Sequence, residues 1–364
     1  MGRSLAGQVK DPPVIAGDSP ETPGPFANDI SPEMTRTAVH TAMRRVADWQ
    51  LGHLLQTTSR DWTYATLYEG LAAASESLGD RKYQDPVLQT GRRFDWHLGP
   101  RPNHADDHVI GEAYLRLFDV HRDPKMFEAV RSQLDEVMAQ PDTPEQPVWW
   151  WSDALFMGPP VWEHLSMVTG DKRYRDYVNR EWKVTDDTLW NETNHLYSRD
   201  KKYLTRKEDN GEPLYWARGN GWVLAGLAQV LKYIPKDDPR RSFYLNRFKQ
   251  LAGSVALLQC NDGLWRPGLL NQKAYPEPDT SASALFIYGL AWGVNEGVLD
   301  KKRYRPAVSK GWQGLVHHIY ADGRLGSVQP IGEAPEAYSP SSSYVYGVGA
   351  FLMAGTEIGR LAPE

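Results

Sequence analysis

Two classes of helix alternate along the chain, and this alternation limits the possible folds more than any other feature. Six segments are apolar on one face only and cover residues 34–53, 83–97, 124–139, 171–183, 241–259 and 303–318. Six others are apolar on most sides and cover residues 63–78, 107–120, 154–169, 220–234, 281–294 and 344–357. A one-faced helix lies at a surface, whereas a helix that is apolar all round is buried. The alternation therefore predicts an all-α (α/α)6 barrel of inner and outer helices.

The connections between the helices also repeat. Gly79-Asp80 and Gly170-Asp171 each follow an apolar segment, and such recurring units are typical of stacked helical hairpins. The first helix is predicted to begin at Ser31-Pro32, a capping residue followed by proline. Residues 1–30 are rich in proline and glycine and predict a flexible N-terminal leader, so that residues 31–364 form a single barrel domain.

Composition excludes several classes of partner and cofactor. The net charge of −5 argues against non-specific nucleic-acid binding, and no apolar run reaches the length of a membrane span. A single cysteine, Cys260, excludes an intrachain disulfide and a cysteine zinc site. The histidine spacing matches no metal motif and no phosphate loop is present, so we expect no metal and no cofactor. The N-terminus has no signal-type apolar segment, which leaves the cytoplasm and the periplasm both open, since a removed export signal leaves no trace.

Hairpins of alternating class make the inner helices parallel, so all their N-termini are predicted to meet at one rim. The residues at these positions are Arg60–Trp62, His104–Asp107, Trp149–Asp153, Arg218–Trp222, Asp279–Ser281 and Ser341–Ser343. For Asp279 and for the serines we expect helix capping alone. The remaining rim residues predict a funnel lined by carboxylates, arginine and tryptophan, which suits an acidic sugar.

Two carboxylates at this rim are candidates for acid–base chemistry. Asp153 lies between three tryptophans and an apolar run, and burial raises the pKa of a carboxyl group. The helix N-terminus lowers that pKa, whereas a second carboxylate, Asp106 or Asp107, would raise it again. Spacing alone is as consistent with a structural role for the pair as with a catalytic one.

Arg218 is a candidate for binding an anionic group. It begins the motif Arg-Gly-Asn-Gly-Trp, in which the glycines allow close backbone approach. Its guanidinium could pair with a sugar carboxylate in bidentate fashion, and Trp222 would then offer a stacking face. The alternative is an exposed arginine at the start of a helix.

Five stretches, in order, resemble a known family. They are residues 103–118, 150–165, 215–231, 279–300 and 344–355. The chain resembles the unsaturated rhamnogalacturonyl hydrolases of glycoside hydrolase family 105, relatives of the unsaturated glucuronyl hydrolases of family 88. The resemblance implies an (α/α)6 barrel that removes a 4,5-unsaturated uronic acid, galacturonyl or glucuronyl, from the non-reducing end of an acidic oligosaccharide, usually next to rhamnose. It also implies that the C4=C5 vinyl ether is hydrated.

The same resemblance implies roles for particular residues. Asp153 matches the acid/base position and Asp106 the assisting aspartate, with Asp107 as the fallback one residue along. Other positions are implied or predicted to contact the substrate: Arg218, Trp222, Trp62, Tyr64, Asp107, Trp151, His104 and Arg199. Arg199 stands where some relatives carry a histidine. Another (α/α)6 enzyme, such as an inverting glycosidase or polysaccharide lyase, and a non-catalytic glycan-binding module are the alternatives.

Overall fold

The computed structural model describes residues 14–54, 58–140 and 147–363. Within these ranges, the buried helices follow the predicted apolar segments. They are α2 (Trp62–Leu78), α4 (Ala105–His108) continuing as α5 (Ile110–His121), α7 (Ala154–Met157) continuing as α8 (Pro159–Thr169), α10 (Ala217–Tyr233), α12 (Thr280–Asn295) and α14 (Val345–Leu361).

The outer helices follow the predicted one-faced segments. They are α1 (Arg36–Gly52), α3 (Asp85–Arg93), α6 (Lys125–Met138), α9 (Lys172–Leu189), α11 (Arg241–Leu257) and α13 (Lys301–Val316). None of the described helices combines the length and the hydrophobicity that a bilayer span needs.

The inner helices form a closed ring. Helix α2 packs against α5, α5 against α8, α8 against α10, α10 against α12, α12 against α14, and α14 returns to α2. Every residue from 280 to 294 of α12 is buried, as is every residue from 217 to 231 of α10. This all-round burial explains why these segments carry apolar residues on most sides.

The repeated Gly-Asp turns reverse the chain from inner to outer helix. Gly79 and Gly170 end α2 and α8 with φ of 63° and 73°, a left-handed conformation that glycine adopts without steric strain. The following aspartates, Asp80 and Asp171, then accept hydrogen bonds from Lys82 N and Arg173 N and so cap the next helical segment.

The third inner helix is interrupted where the sequence predicts one continuous helix. Gly158, with φ −101° and ψ −67°, separates α7 from α8 and is followed by Pro159 and Pro160. A proline has no backbone N–H and constrains the residue before it, so the hydrogen-bond ladder cannot continue through this point. The break keeps Asp153 at the start of a short helical segment on the rim.

Three helix starts are predicted from capping residues. The structure differs at two of them and confirms the third. Helix α1 begins at Arg36 and not at Ser31-Pro32, because the Thr35 hydroxyl accepts the Ala38 N–H and caps it. The serines at 341–343 do not cap α14, since Ser343 belongs to a strand and the Ser342 hydroxyl donates to Val328 O. Asp279 does cap its helix, accepting from Ser281 N at 2.9 Å.

Residues 14–30 lie against the barrel, which differs from the predicted flexible leader. Strand β1 (Gly17–Asp18) pairs antiparallel with β4 (Ser343–Tyr344), and Ala27 N donates to Ile319 O at 2.8 Å. Part of the leader prediction, residues 1–13, falls outside the described residues. A second short ribbon, β2 (Trp190–Asn191) with β3 (Leu196–Tyr197), lies beside α10.

Candidate active site

The N-termini of three neighbouring inner helices bring carboxylates to one rim. Asp61 caps α2, Asp106 lies in the first turn of α4, and Asp153 precedes α7. Asp61 accepts the Thr63 N–H at 3.0 Å, as an N-cap does. The charges of both Asp61 and Asp153 contribute to the raised pKa of Asp106, so the three groups share one electrostatic environment.

Asp153 is held by a hydroxyl and a guanidinium. Its Oδ2 accepts a hydrogen bond from Ser152 Oγ at 3.1 Å and lies 3.7 Å from Arg199 Nε. Burial raises the pKa of Asp153, while the Arg199 charge and the Ser152 hydrogen bond act in the opposite direction. The predicted raised pKa for this buried carboxyl is therefore matched, with Arg199 as the opposing influence.

Asp106 is the second carboxyl of the pair. Its pKa is raised to about 7, first by burial and then by the charge of Asp153, while the charge of Arg101 opposes the shift. Its side chain is still 21% exposed, so it reaches water in the funnel. Because like charges disfavour joint ionisation, Asp106 and Asp153 together retain a proton near neutral pH.

Asp107 occupies a different environment from Asp106. It accepts hydrogen bonds from Arg101 N at 2.5 Å, Nε at 3.1 Å and Nη2 at 2.8 Å, and its own carbonyl accepts the Gly99 N–H. These contacts fold the loop before α4 onto the helix. The carboxylate is thus already occupied, which differs from the substrate contact that the sequence predicts for it.

Arg199 lies at the centre of a charged group beside Asp153. Its Nη1 donates to Asp200 at 2.7 Å and lies 3.4 Å from Glu333, and its guanidinium lies over the Trp150 ring. Its Nε is buried and has no hydrogen-bond partner among the described residues. One donor of this arginine therefore faces the Asp153 carboxylate without completing a hydrogen bond.

Arg218 is engaged with the backbone and does not face open space. It is 1% exposed; Nη1 donates to Gln329 O at 2.6 Å and Nη2 to Pro330 O at 2.8 Å. Asp279 lies 3.8 Å away and balances its charge. This differs from the predicted bidentate pairing with a sugar carboxylate, because both terminal nitrogens already hold the loop at 329–330.

The predicted aromatic walls divide into buried and accessible rings. Trp222 is 1% exposed and packs perpendicular to the half-buried Trp62 and against Phe156, so its ring has little surface left to stack on sugar. Tyr64 is buried, and its hydroxyl donates to Ile15 O at 3.0 Å. The accessible ring near Asp153 is Trp150, with 42% exposure, which the sequence did not single out.

His104 and Trp151 lie beside the carboxyl pair. The His104 ring packs against Trp151 at 4.8 Å, and its Nδ1 lies 3.6 Å from Asp106 Oδ2. Burial and then the Arg101 charge lower the pKa of His104, so the ring is neutral near pH 7 and does not neutralise Asp106. Among the described residues, no three histidine, cysteine, aspartate or glutamate side chains meet as a metal site requires.

The Arg-Gly-Asn-Gly motif has structural contacts that the sequence did not reveal. Asn220 accepts the Tyr197 N–H at 2.8 Å and donates to the carbonyls of Tyr197 and Trp216 at 3.0 Å each. A Cβ on Gly219 would lie 3.0 Å from Ser152 Oγ, so glycine lets α10 approach the residue that hydrogen-bonds Asp153. The motif therefore has a structural role, because it holds α10 close to Ser152.

A closed helical ring with two interacting carboxyls, an adjacent guanidinium and an accessible tryptophan at one rim defines a carbohydrate-active enzyme of the (α/α)6 class. Residues 34–362 match the Glycosyl Hydrolase Family 88 profile, and the chain belongs to this family. It is a glycoside hydrolase, as the sequence predicts, and the predicted barrel is confirmed.

Three relatives illustrate the similarity. The chain is 35% identical over 347 residues to the unsaturated 3S-rhamnoglycuronyl hydrolase of Formosa agariphila, which covers 90% of this chain and 92% of the relative. The structure of a family 88 glycosyl hydrolase from Bacteroides vulgatus is similar with a TM-score of 0.84 and 29% identity, over 90% of this chain and 99% of that one. A structure described as a polysaccharide lyase has a TM-score of 0.83 and 32% identity, over 90% of this chain and 98% of that chain.

Proposed function

We propose that this glycosidase removes a 4,5-unsaturated uronic acid from the non-reducing end of lyase-generated acidic oligosaccharides. The observation that carries the proposal is the pair formed by the buried Asp153 and the half-buried Asp106, with the pKa of Asp106 raised to about 7. Such a pair keeps a proton available near neutral pH, as protonation of an alkene carbon requires. The name of the Formosa agariphila relative, an unsaturated 3S-rhamnoglycuronyl hydrolase, supports the same reaction and favours rhamnose as the adjoining sugar.

The proposed reaction is a hydration followed by ring opening. Asp153 gives its proton to C4 of the C4=C5 bond, and the ring oxygen stabilises the positive charge that develops at C5. Water adds at C5 and returns a proton to the carboxyl pair. The resulting hemiketal opens, and the C1 hemiacetal then releases the adjoining sugar as an alcohol. One water is consumed, and no nucleophile attacks C1, unlike ordinary glycoside hydrolysis.

The neighbours of the pair have distinct proposed roles. Asp106 keeps the proton on the pair through like-charge repulsion and burial. Arg199 takes the substrate carboxylate through the exposed part of its guanidinium, because its side chain is 14% exposed and lies beside Asp153, next to where C4 and C5 must sit. Trp150, exposed on the same side, stacks on the adjoining sugar. Arg218 acts as a positioning residue through the loop at 329–330.

The polysaccharide lyase structure favours one alternative. At 32% identity over most of both chains, it makes β-elimination from an intact polysaccharide a second candidate reaction. The two reactions change the same chromophore in opposite directions. A hydratase removes the conjugated C4=C5 bond, so the ultraviolet absorbance of the oligosaccharide decreases. A lyase creates that bond, so the absorbance increases.

The test is the replacement Asp153→Asn, assayed by the absorbance of lyase-generated oligosaccharides from pectin, arabinogalactan, ulvan and glycosaminoglycans. We expect wild type to remove the absorbance from at least one set, and Asp153→Asn to be slower by about 10²–10⁴-fold, the usual contribution of a general acid. A matched control is Asp176→Asn on the outer surface, where the side chain is 64% exposed. Equal rates for the three proteins, or an absorbance gain from intact polysaccharide, would exclude the proposed reaction.

A further inference from the structure

The mouth of the barrel opposite the carboxyl pair contains a cavity. Its volume is about 490 Å³, and it lies among the C-terminal ends of the inner helices. Cations contributed by four helices and one connection line it: Arg116, Lys232, Lys236, Arg241 and Arg360. The carboxylates in the lining are Glu76, Glu296 and Glu357. Cations therefore outnumber carboxylates in a recess of the size that small-molecule sites occupy.

Most of these charges already have partners within the protein. Arg360 donates to Glu357 at 2.8 Å and to Glu296 at 2.9 Å, so two of the three carboxylates are engaged by one guanidinium. Arg116 pairs with Glu112 at 3.1 Å behind the cavity wall. Arg241 donates to two backbone carbonyls, at 2.6 Å and 2.7 Å. Each of these three arginines is thus held in a fixed position.

Two lysines in the lining have no such partner. Lys232 and Lys236 make no hydrogen bond or ion pair with any described residue. Lys232 lies 5.4 Å from the Tyr233 ring, and the charges of Glu112, Glu76 and Glu357 act on it from a greater distance than an ion pair. Both are exposed to solvent, but desolvation and then the Arg116 charge lower the pKa of Lys232. An ammonium group that water reaches, that has no hydrogen-bond partner and that lies beside a second cation can donate to a bound anion.

We propose that this cavity binds a tetrahedral oxyanion, a sulfate or phosphate group, through the unpaired ammonium groups of Lys232 and Lys236. An oxyanion accepts several hydrogen bonds at once, which suits two flexible ammonium donors beside the fixed guanidinium of Arg116. The volume exceeds that of an inorganic ion and accommodates a sugar carrying the group. Apolar residues such as Leu231 and Met353 complete the wall. The site is separate from the carboxyl pair and does not depend on the proposed reaction.

The experiment is calorimetric titration at constant ionic strength with sodium sulfate, sodium phosphate, glucose 6-sulfate and glucose 6-phosphate, with sodium chloride as the reference. Wild type is expected to bind at least one of these oxyanions at a single saturable site. Lys232→Met and Lys236→Met should each weaken that binding about tenfold or more, since a charge-assisted hydrogen bond contributes on that scale. Whether the sulfate or the phosphate ligand binds more tightly identifies the source of the group.

Lys302→Met is the matched control. Lys302 lies in α13 among Lys301, Arg305 and Lys310, a cationic outer surface away from the cavity. Lys302→Met should leave oxyanion binding unchanged, and none of the three variants should lower thermal stability without ligand, because no lysine hydrogen bond is lost. Binding that does not saturate, or that falls equally in Lys302→Met, would mean general ionic attraction and would overturn the site. So would full binding in both cavity variants.

Discussion

At the scale of single residues, two adjacent aspartates with the same side chain have different environments. Asp107 is clamped by three donors of Arg101, whereas Asp106 faces the funnel and is influenced by Asp153. The sequence narrowed the second carboxyl to these two positions and could not choose between them. One residue along a helix rotates the side chain by about 100°, and only the packed structure shows which direction is open.

The raised pKa of Asp106 predicts a pH-dependent cost in stability. Between its usual value of 3.8 and about 7, the unfolded chain has lost this proton while the folded chain keeps it. Stability therefore falls as the pH rises through that interval and stays at the lower level above it. Asp106→Asn carries no charge, so at pH 8 the variant should be more stable than wild type by about 1–4 kcal/mol. Its activity should fall.

Urea denaturation at pH 8 and near pH 4 measures this difference. Near pH 4, where Asp106 stays protonated in the folded state, the gain should be largely absent. Asp107→Asn serves as the comparison, because it breaks the Arg101 clamp and should destabilise the fold at both pH values. A wild type more stable than Asp106→Asn at pH 8 would contradict a buried, destabilised carboxyl at this position.

At the scale of helices, the contact between α2 and α14 depends on two glycines. A Cβ on Gly349 would lie 2.2 Å from Thr66 O, and one on Gly70 would lie 2.4 Å from Gly349 O. Neither backbone could move away without opening the inner ring. The sequence showed an apolar helix containing glycines, but which glycine faces a neighbouring backbone follows only from how the two helices pack.

Two substitutions in α14 test this contact. Gly349→Ala should destabilise the fold by about 1–3 kcal/mol through overpacking. Gly359→Ala lies in the same helix, where the nearest atoms would be His40 Nε2 at 3.5 Å and Ser77 Oγ at 3.7 Å. It should be neutral or stabilising by up to about 1 kcal/mol, because alanine favours the helix more than glycine does. Thermal unfolding of both variants gives the comparison; equal midpoints would count against the tight contact.

At the scale of the whole molecule, the last helix of the barrel packs against the first helices and so closes the ring. Helix α14 packs against α1 and α2 at the start of the barrel and against α12 before it, and β4 pairs with β1. In an open solenoid each repeat contacts only its sequence neighbours, so loss of a terminal repeat removes a single interface. In a closed ring, every inner helix is needed to bury two others.

Removal of residues 345–364 should therefore abolish cooperative folding and not merely shorten the barrel. The exposed faces of α2 and α12 would lose the helix that buries them. Circular dichroism during heating checks this expectation, with the full chain as the reference. A truncated protein that retained a sharp transition and a proportionate helical signal would indicate that the helices stack independently.

The sequence by itself determined the barrel, because helical periodicity and all-round burial are local consequences of residue order. It also determined that Asp106 or Asp107, with Asp153, would reach one rim, since parallel inner helices share an end. It could not determine which side chains remain accessible there. Arg218, Trp222 and Tyr64 reach the rim but pack against a loop, against Trp62 and against the N-terminal segment, respectively. Which donors stay unpaired is decided by contacts between residues distant in the chain, and only the tertiary structure brings those residues together.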